Sequence, residues 1–217
     1  YNLFIILNVM GVGIGFYLSY AIGKSELFAL FVIISALLYV YASYLKQTFL
    51  IGNMVISVLV GLSILIVGIF ELIPSMTSEN QGIQLAFFRI LLDYAIFAFI
   101  INFIREITKD IEDIDGDYKS GMHTLPIVIG RERASKILFV LSFIPLLAVI
   151  YYLNKNLYKQ PVAVIYYLIF IIAPLIYLCI IIFNAKTKKD FHTISKLLKI
   201  VMLFGMLSIL LYKFMLL

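Results

Sequence analysis

Residues 105–126 read REITKDIEDIDGDYKSGMHTLP. They break a chain that is otherwise almost uncharged. Glu106, Asp110, Glu112, Asp113, Asp115 and Asp117 are six of its 12 carboxylates. They follow directly on an apolar run that ends near Arg105. As the continuing end of that helix, 105–117 places Glu106, Asp110, Asp113 and Asp117 at i, i+4, i+7 and i+11, on a single face. Like charges at that spacing repel, and acids near a helix C-terminus oppose its dipole. The arrangement stabilises nothing unless cations neutralise it.

Around this stretch the chain reads as membrane. Of 217 residues, 64% are hydrophobic and only 13% charged. A water-soluble domain of this size needs more charge to cover its surface. Apolar runs of about 20 residues recur, the length that crosses a hydrocarbon core about 30 Å thick. The pattern predicts an all-α polytopic bundle of seven helices, near 3–22, 26–44, 52–73, 85–108, 134–153, 161–184 and 193–216. Pro74 ends the third, and Pro161 suits the first turn of the sixth. Pro145 and Pro174 fall inside helices, which packed membrane bundles tolerate.

Seven crossings alternate the loops between two faces. Twelve of the 17 Lys and Arg then lie on the face of Tyr1, among them Lys46, Arg105, Lys109, Lys119 and Lys188; Lys24, Arg89, Lys155, Lys159 and Lys213 lie on the other. The positive-inside rule makes the first face cytoplasmic, and the acidic segment with it. This topology accounts for the net charge of +5, so nucleic acid is not needed as a partner.

A hard divalent cation is the natural partner of the acidic face, because Mg²⁺ sits on one or two carboxylates plus substrate phosphates. Asp110, Asp113 and Asp117 are the candidate metal ligands, with Asp113 and Asp117 the candidate catalytic pair. Lys46, Arg105, Lys109 and Lys119 are the candidate cations for a diphosphate. The rest of such a substrate would be lipid-like, since the site opens onto an apolar bundle. The competing readings are a solvated charge run and the acidic vestibule of a transporter or channel. A permeation path would need polar groups at mid-membrane on several helices, and these are nearly absent. An EF-hand fails, because Gly116 at position 6 puts Ile111 at position 1 and Met122 at position 12. The phosphatidyl-alcohol transferase motif fails too, because Ala-Arg does not follow Asp115-Gly116.

KDIEDIDGDYKSGMHTLPIVIG resembles the second aspartate-rich motif of the UbiA family of intramembrane prenyltransferases. Asp113 and Asp117 match its DxxxD, Lys119 its basic residue, and Gly121 and Thr124 its tail; His123 stands where lysine is usual. YASYLKQTFLIGN resembles the family's basic loop, with Lys46 matching and Gln47 in place of a second cation. The KDIEDIDGD form is similar to the branch holding archaeal glyceryl-phosphate geranylgeranyl transferases and plant homogentisate prenyltransferases.

The resemblance implies one transmembrane prenyltransferase domain over 1–217, a Mg²⁺ cofactor, a prenyl diphosphate and a lipid or aromatic acceptor, all within membrane lipid. It implies ionisation of the diphosphate to an allylic cation that the acceptor attacks. Glyceryl phosphate, aromatic acid and quinone-precursor acceptors all stay open. The family has nine helices and a first motif, NDxxDxxxD, between its second and third. On this reading two helices and that motif precede Tyr1. The visible stretch alone is then expected to be inactive, or to belong to a non-catalytic member.

Other polar positions have blander readings. GVGIG, residues 11–15, suits close helix contact. Asn8 suits an interhelical hydrogen bond, and Asn102 either packing or a site contact. Asp93, with Arg89 four residues before it, suits a local ion pair at least as well as function. His192 reads as solvated, the run 186–190 as a headgroup anchor, and Cys179 as a buried apolar thiol.

Overall fold

The computed structural model describes residues 2–215, and side chains through Tyr212. The Lys213 side chain and Tyr1, both used in the topology count, lie outside this description, as does residue 216 at the expected end of the seventh helix. The described chain is helical throughout, with no strand. Seven stretches are long and apolar enough to cross a membrane. They comprise α1 (Asn2–Ala21), α2 (Phe28–Ser43), α3 (Ile51–Leu72), α4 (Gln81–Lys119), α6 (Arg131–Tyr152), the pair α7 (Pro161–Tyr167) and α8 (Ala173–Asn184), and α9 (Lys188–Leu207). The short helices α5 (Leu125–Ile129) and α10 (Ile209–Met215) complete the order. The expected spans stand within a few residues, and Pro161 does open α7. The line of α7 continues into α8 through a π-helical turn at Leu168–Ile172, directly before Pro174. A missing proline N–H makes such a widened turn a natural accommodation.

The core lies in the second half. Ile101, Ile104, Ile107 and Ile111 of α4 pack against Leu138 of α6, Leu175 and Leu178 of α8, and Leu198 and Val201 of α9. These positions recur at three- and four-residue spacing, the interior stripe of each helix. In lipid the drive for association is close packing rather than burial, so small residues mark the contacts. Between α3 and α4, a Cβ on Gly61 would lie 3.0 Å from the Ala95 carbonyl oxygen. Of the three glycines in GVGIG, only Gly15 makes a close approach, against the Phe31 ring. Asn8 accepts a hydrogen bond from Ser35 (2.9 Å), tying α1 to α2 as its residue type promised. Cys179 is buried and meets Ser142.

With 39 residues, α4 is by far the longest element. At 1.5 Å per residue it runs about 58 Å, nearly twice a hydrocarbon core. Its apolar part crosses, and its acidic part extends the same rod beyond, helical as far as Lys119.

Candidate active site at the acidic end of α4

The end of α4 is set by Gly121. This residue takes φ 69°, where only glycine is unstrained. Met122 N–H donates to the Asp117 carbonyl (3.0 Å) and Gly121 N–H to that of Tyr118 (3.1 Å), the paired bonds of a Schellman cap. The chain then turns back, and His123 N–H donates to the Gln47 carbonyl (2.8 Å). That bond fastens the loop carrying Lys46 to the acidic helix end. Gly52 allows the same loop to lie against α3, because any Cβ there would collide with the Leu45 carbonyl. Leu50, with φ 42°, makes the left-handed turn into α3, a conformation rare outside glycine and asparagine.

Asp110, Asp113 and Asp117 stand together on one stripe of α4, as the spacing predicts, close enough for their charges to interact. Each acid of the segment meets a different neighbour. Asp110 Oδ2 accepts from Asn53 Nδ2 of α3 (2.7 Å). Asp113 Oδ1 faces Lys188 Nζ of α9 (3.3 Å). Lys46 and Lys109 act on Asp117. On the far side of the helix Glu112 is buried and meets His192 Nδ1 (2.8 Å), leaving its Oε2 without a partner. Asp115 is 86% exposed and meets Arg131 (3.5 Å).

The predicted cations divide accordingly. Lys46 and Lys109 join the acidic face. Arg105 is turned to Glu106 (2.9 Å), both side chains four-fifths covered. Lys119, two residues past Asp117, projects from the other side of the helix and is exposed. His192 is exposed, as the solvated reading expects, but one of its ring nitrogens also meets the buried Glu112 carboxylate. Lys188 is more than a headgroup anchor; it reaches Asp113. Its position follows from Thr187, whose hydroxyl caps α9 reciprocally with Asp190.

Sequence reasoning missed Asn53. Its partner is 57 residues away, and an asparagine inside an apolar helix carries no spacing signal. Behind it Ser57 donates to the Asn53 carbonyl (2.6 Å), and Asn102 to Ser57 Oγ (3.2 Å). A buried polar ladder thus runs along the α3–α4 seam to Asp110, and Asn102 belongs to it. Tyr41, on α2, also lies near Glu106 and Asp110.

Toward the membrane the acidic stripe continues in Phe103 and Phe99, whose rings stack at 6.1 Å. They lie seven and eleven residues before Asp110, on the same face. Carboxylates and an aromatic pair therefore follow one another down a single helix face, with Lys46 and Lys109 beside the carboxylates.

Residues 1–214 match the UbiA prenyltransferase family. The chain belongs to that family. Among curated relatives, it is 33% identical over 208 residues to the digeranylgeranylglyceryl phosphate synthase of Methanosphaera stadtmanae, covering 94% of this chain and 67% of that protein. It is 33% identical over 178 residues to the synthase of the same name from Methanobrevibacter smithii, covering 79% of this chain and 56% of that protein. The Korarchaeum cryptofilum synthase of that name is 28% identical over 98% of this chain and 69% of its own length. The chain thus spans between about half and about two thirds of these relatives. No solved structure matches it. Membership of the UbiA family and seven apolar helices make this an integral, multi-pass membrane protein.

The metal that UbiA prenyltransferases generally use can be tested against the donor set. Among the described residues, no three His, Cys, Asp or Glu side chains converge into a closed metal site. An open set of one or two carboxylates is what Mg²⁺ takes when phosphates and waters complete its octahedron. Asp113 and Asp117, half-buried and adjacent on one face, fit that role, and Asp110 keeps one oxygen free beside Asn53.

Proposed function

We propose that this protein is a Mg²⁺-dependent transferase of a polyprenyl group, moved from its diphosphate to a glyceryl-phosphate acceptor within the membrane. The observation that carries the reading is the helix face just described, in a chain of the UbiA family similar to synthases named for digeranylgeranylglyceryl phosphate. Asp113 and Asp117 would hold the metal, with Asp110 beside them. When bound, Mg²⁺ supplies Lewis-acid stabilisation of the charge that develops on a leaving diphosphate.

The chain's own groups do the remaining work. Lys46 and Lys109 neutralise the diphosphate from two directions, one on a loop and one on α4. Arg105, held by Glu106, and Lys119, on the other side of the helix, would have to turn toward a bound diphosphate to add to this field. Asn53 fixes the Asp110 carboxylate by donating to one oxygen. The Phe99 and Phe103 faces suit an allylic cation, and the apolar bundle keeps water from it. The excess of lysines on this side of the bundle supports a cytoplasmic position for the site.

The test is prenyl transfer by the full-length protein in membranes, with geranylgeranyl diphosphate and geranylgeranylglyceryl phosphate, with and without Mg²⁺. Metal-dependent formation of the diether is expected, and Asp113→Asn and Asp117→Asn should abolish it without loss of folded protein. Wild-type rates in either variant would sink the assignment. Transfer to an aromatic acid instead would move the acceptor class and keep the metal site.

A further inference from the structure

A cavity lies at the end of α4 opposite the acidic face. It has a volume of about 730 Å³ and is walled by α4, α6, the α7–α8 line and α9–α10. That is within the range of small-molecule and cofactor pockets. Its wall is aliphatic and aromatic, including Ile90, Phe97, Ile100, Val149 and Ile171. Deeper polar groups are satisfied among themselves. Tyr94 OH lies 2.6 Å from Ser208 Oγ and 3.0 Å from Tyr167 OH, and Tyr152 meets Tyr212.

The rim is different. Arg89, Asp93, Lys155 and Asn156 border the cavity. Arg89 stands within three turns of the start of α4, and Lys155 in the last turn before α7, so both lie near the same end of the bundle. Arg89 and Asp93 form no ion pair with each other, which corrects the local-pair reading. Neither has a hydrogen bond or ion pair with any described residue. Lys155 lies over the Tyr151 ring at 5.6 Å and is close enough to Asp93 to attract it. A carboxylate within a membrane span, with Lys155 near it and no partner in bonding distance among the described residues, is an intramembrane charge that marks a functional position.

This cavity is separate from the acidic face. Asp113 lies 24 residues beyond Arg89, about 36 Å along α4, and Ile100 is still about 15 Å short of Asp110. At 100° per residue, Asp93, Phe97 and Ile100 project roughly 130° away from the stripe of Asp110, Asp113 and Asp117.

We propose that the cavity is a binding site for an anionic glycerophospholipid of the leaflet opposite the acidic motif. Its phosphate is held between Arg89 and Lys155, a glycerol hydroxyl donates to Asp93, and one hydrocarbon chain fills the apolar interior. Two cations and one carboxylate leave a net positive mouth, which an anion complements. The carboxylate distinguishes a head that carries free hydroxyls from a bare phosphate. The site does not depend on the prenyl-transfer reading.

Native mass spectrometry of delipidated protein in detergent tests it, with dioleoylphosphatidylglycerol, dioleoylphosphatidic acid and dioleoylphosphatidylcholine as probes. One molecule of phosphatidylglycerol should be retained with about tenfold preference over phosphatidylcholine, the order expected for two surface cations partly offset by one acid. Arg89→Gln with Lys155→Gln should erase that preference and leave phosphatidylcholine retention unchanged. Ala148→Phe, which fills the cavity, should release every lipid, and Asp93→Asn should remove only the preference for phosphatidylglycerol over phosphatidic acid. Excess glycerol 3-phosphate should not compete, because it has no chain to bury.

Equal retention of phosphatidylglycerol and phosphatidylcholine by the wild type would overturn the proposal. So would a preference that survives the double variant, since the lipid would then sit on the lysine-rich face. If Ala148→Phe fails to fold, those two comparisons decide the question alone.

Discussion

The two ends of α4 handle charge in opposite ways. At the acidic end four of the six carboxylates are tied to another element: Asp110 to α3, Asp113 and Glu112 to α9, Asp115 to α6. At the other end Arg89 and Asp93 share a helix and a cavity, and neither has a hydrogen bond or ion pair with a described residue. Repelling carboxylates must be held by partners if they are to stay side by side. Isolated charges at a membrane interface can stay solvated until a ligand arrives. The first end is preorganised by protein, and the second is left for something else to complete.

Substitutions can break this contrast in a definite order. Asp117→Asn should have the largest effect, lowering transfer by about 10²–10³-fold, the scale of losing one electrostatic contact to a developing charge; initial rates in proteoliposomes measure it. Lys46→Gln should weaken diphosphate binding by about tenfold, the scale of one charge-assisted contact. That loss should appear in KM before kcat and shrink at high salt. Gly52→Ala, which forces the same loop away from α3, should move KM in the same direction with Lys46 intact.

Stability sharpens the comparison further. Asn53→Leu strips Asp110 of its donor at the α3–α4 seam and should destabilise by about 1–3 kcal/mol, the cost of an unsatisfied buried polar group; thermal unfolding in detergent reads it. Gly121→Ala should cost about 1 kcal/mol, because alanine resists the positive φ of the cap. Asp93→Asn, at the opposite end, should leave the unfolding midpoint unchanged. A drop as large as that of Asn53→Leu would show that Asp93 is structural and erase the distinction between the ends.

Much of this was legible beforehand. The seven crossings follow from apolar runs that have no alternative in water. The one-face alignment of Asp110, Asp113 and Asp117 follows from helical period alone. Lys46 was found because a loop at the same membrane face must end near the motif. The hidden parts are contacts between segments far apart in the chain. The contact of the exposed His192 with Glu112 is hidden because nothing local shows that Glu112 turns away from its neighbours into the bundle. Lys188 reads as an anchor because lysines near a helix start usually are, and Asn53 is invisible because its donor role exists only once α3 packs on α4. The expected Arg89–Asp93 pair fails for a different reason: i, i+4 spacing permits contact, but a cavity beside both side chains gives them other places to go.

The bond from His123 N–H to the Gln47 carbonyl has a consequence of its own. It is a main-chain latch, so it is indifferent to the side chain at position 123. A different side chain at position 123 would leave fastened the loop that presents Lys46. The fastening is written in backbone, and the side chain beside it is left to the chemistry of the site.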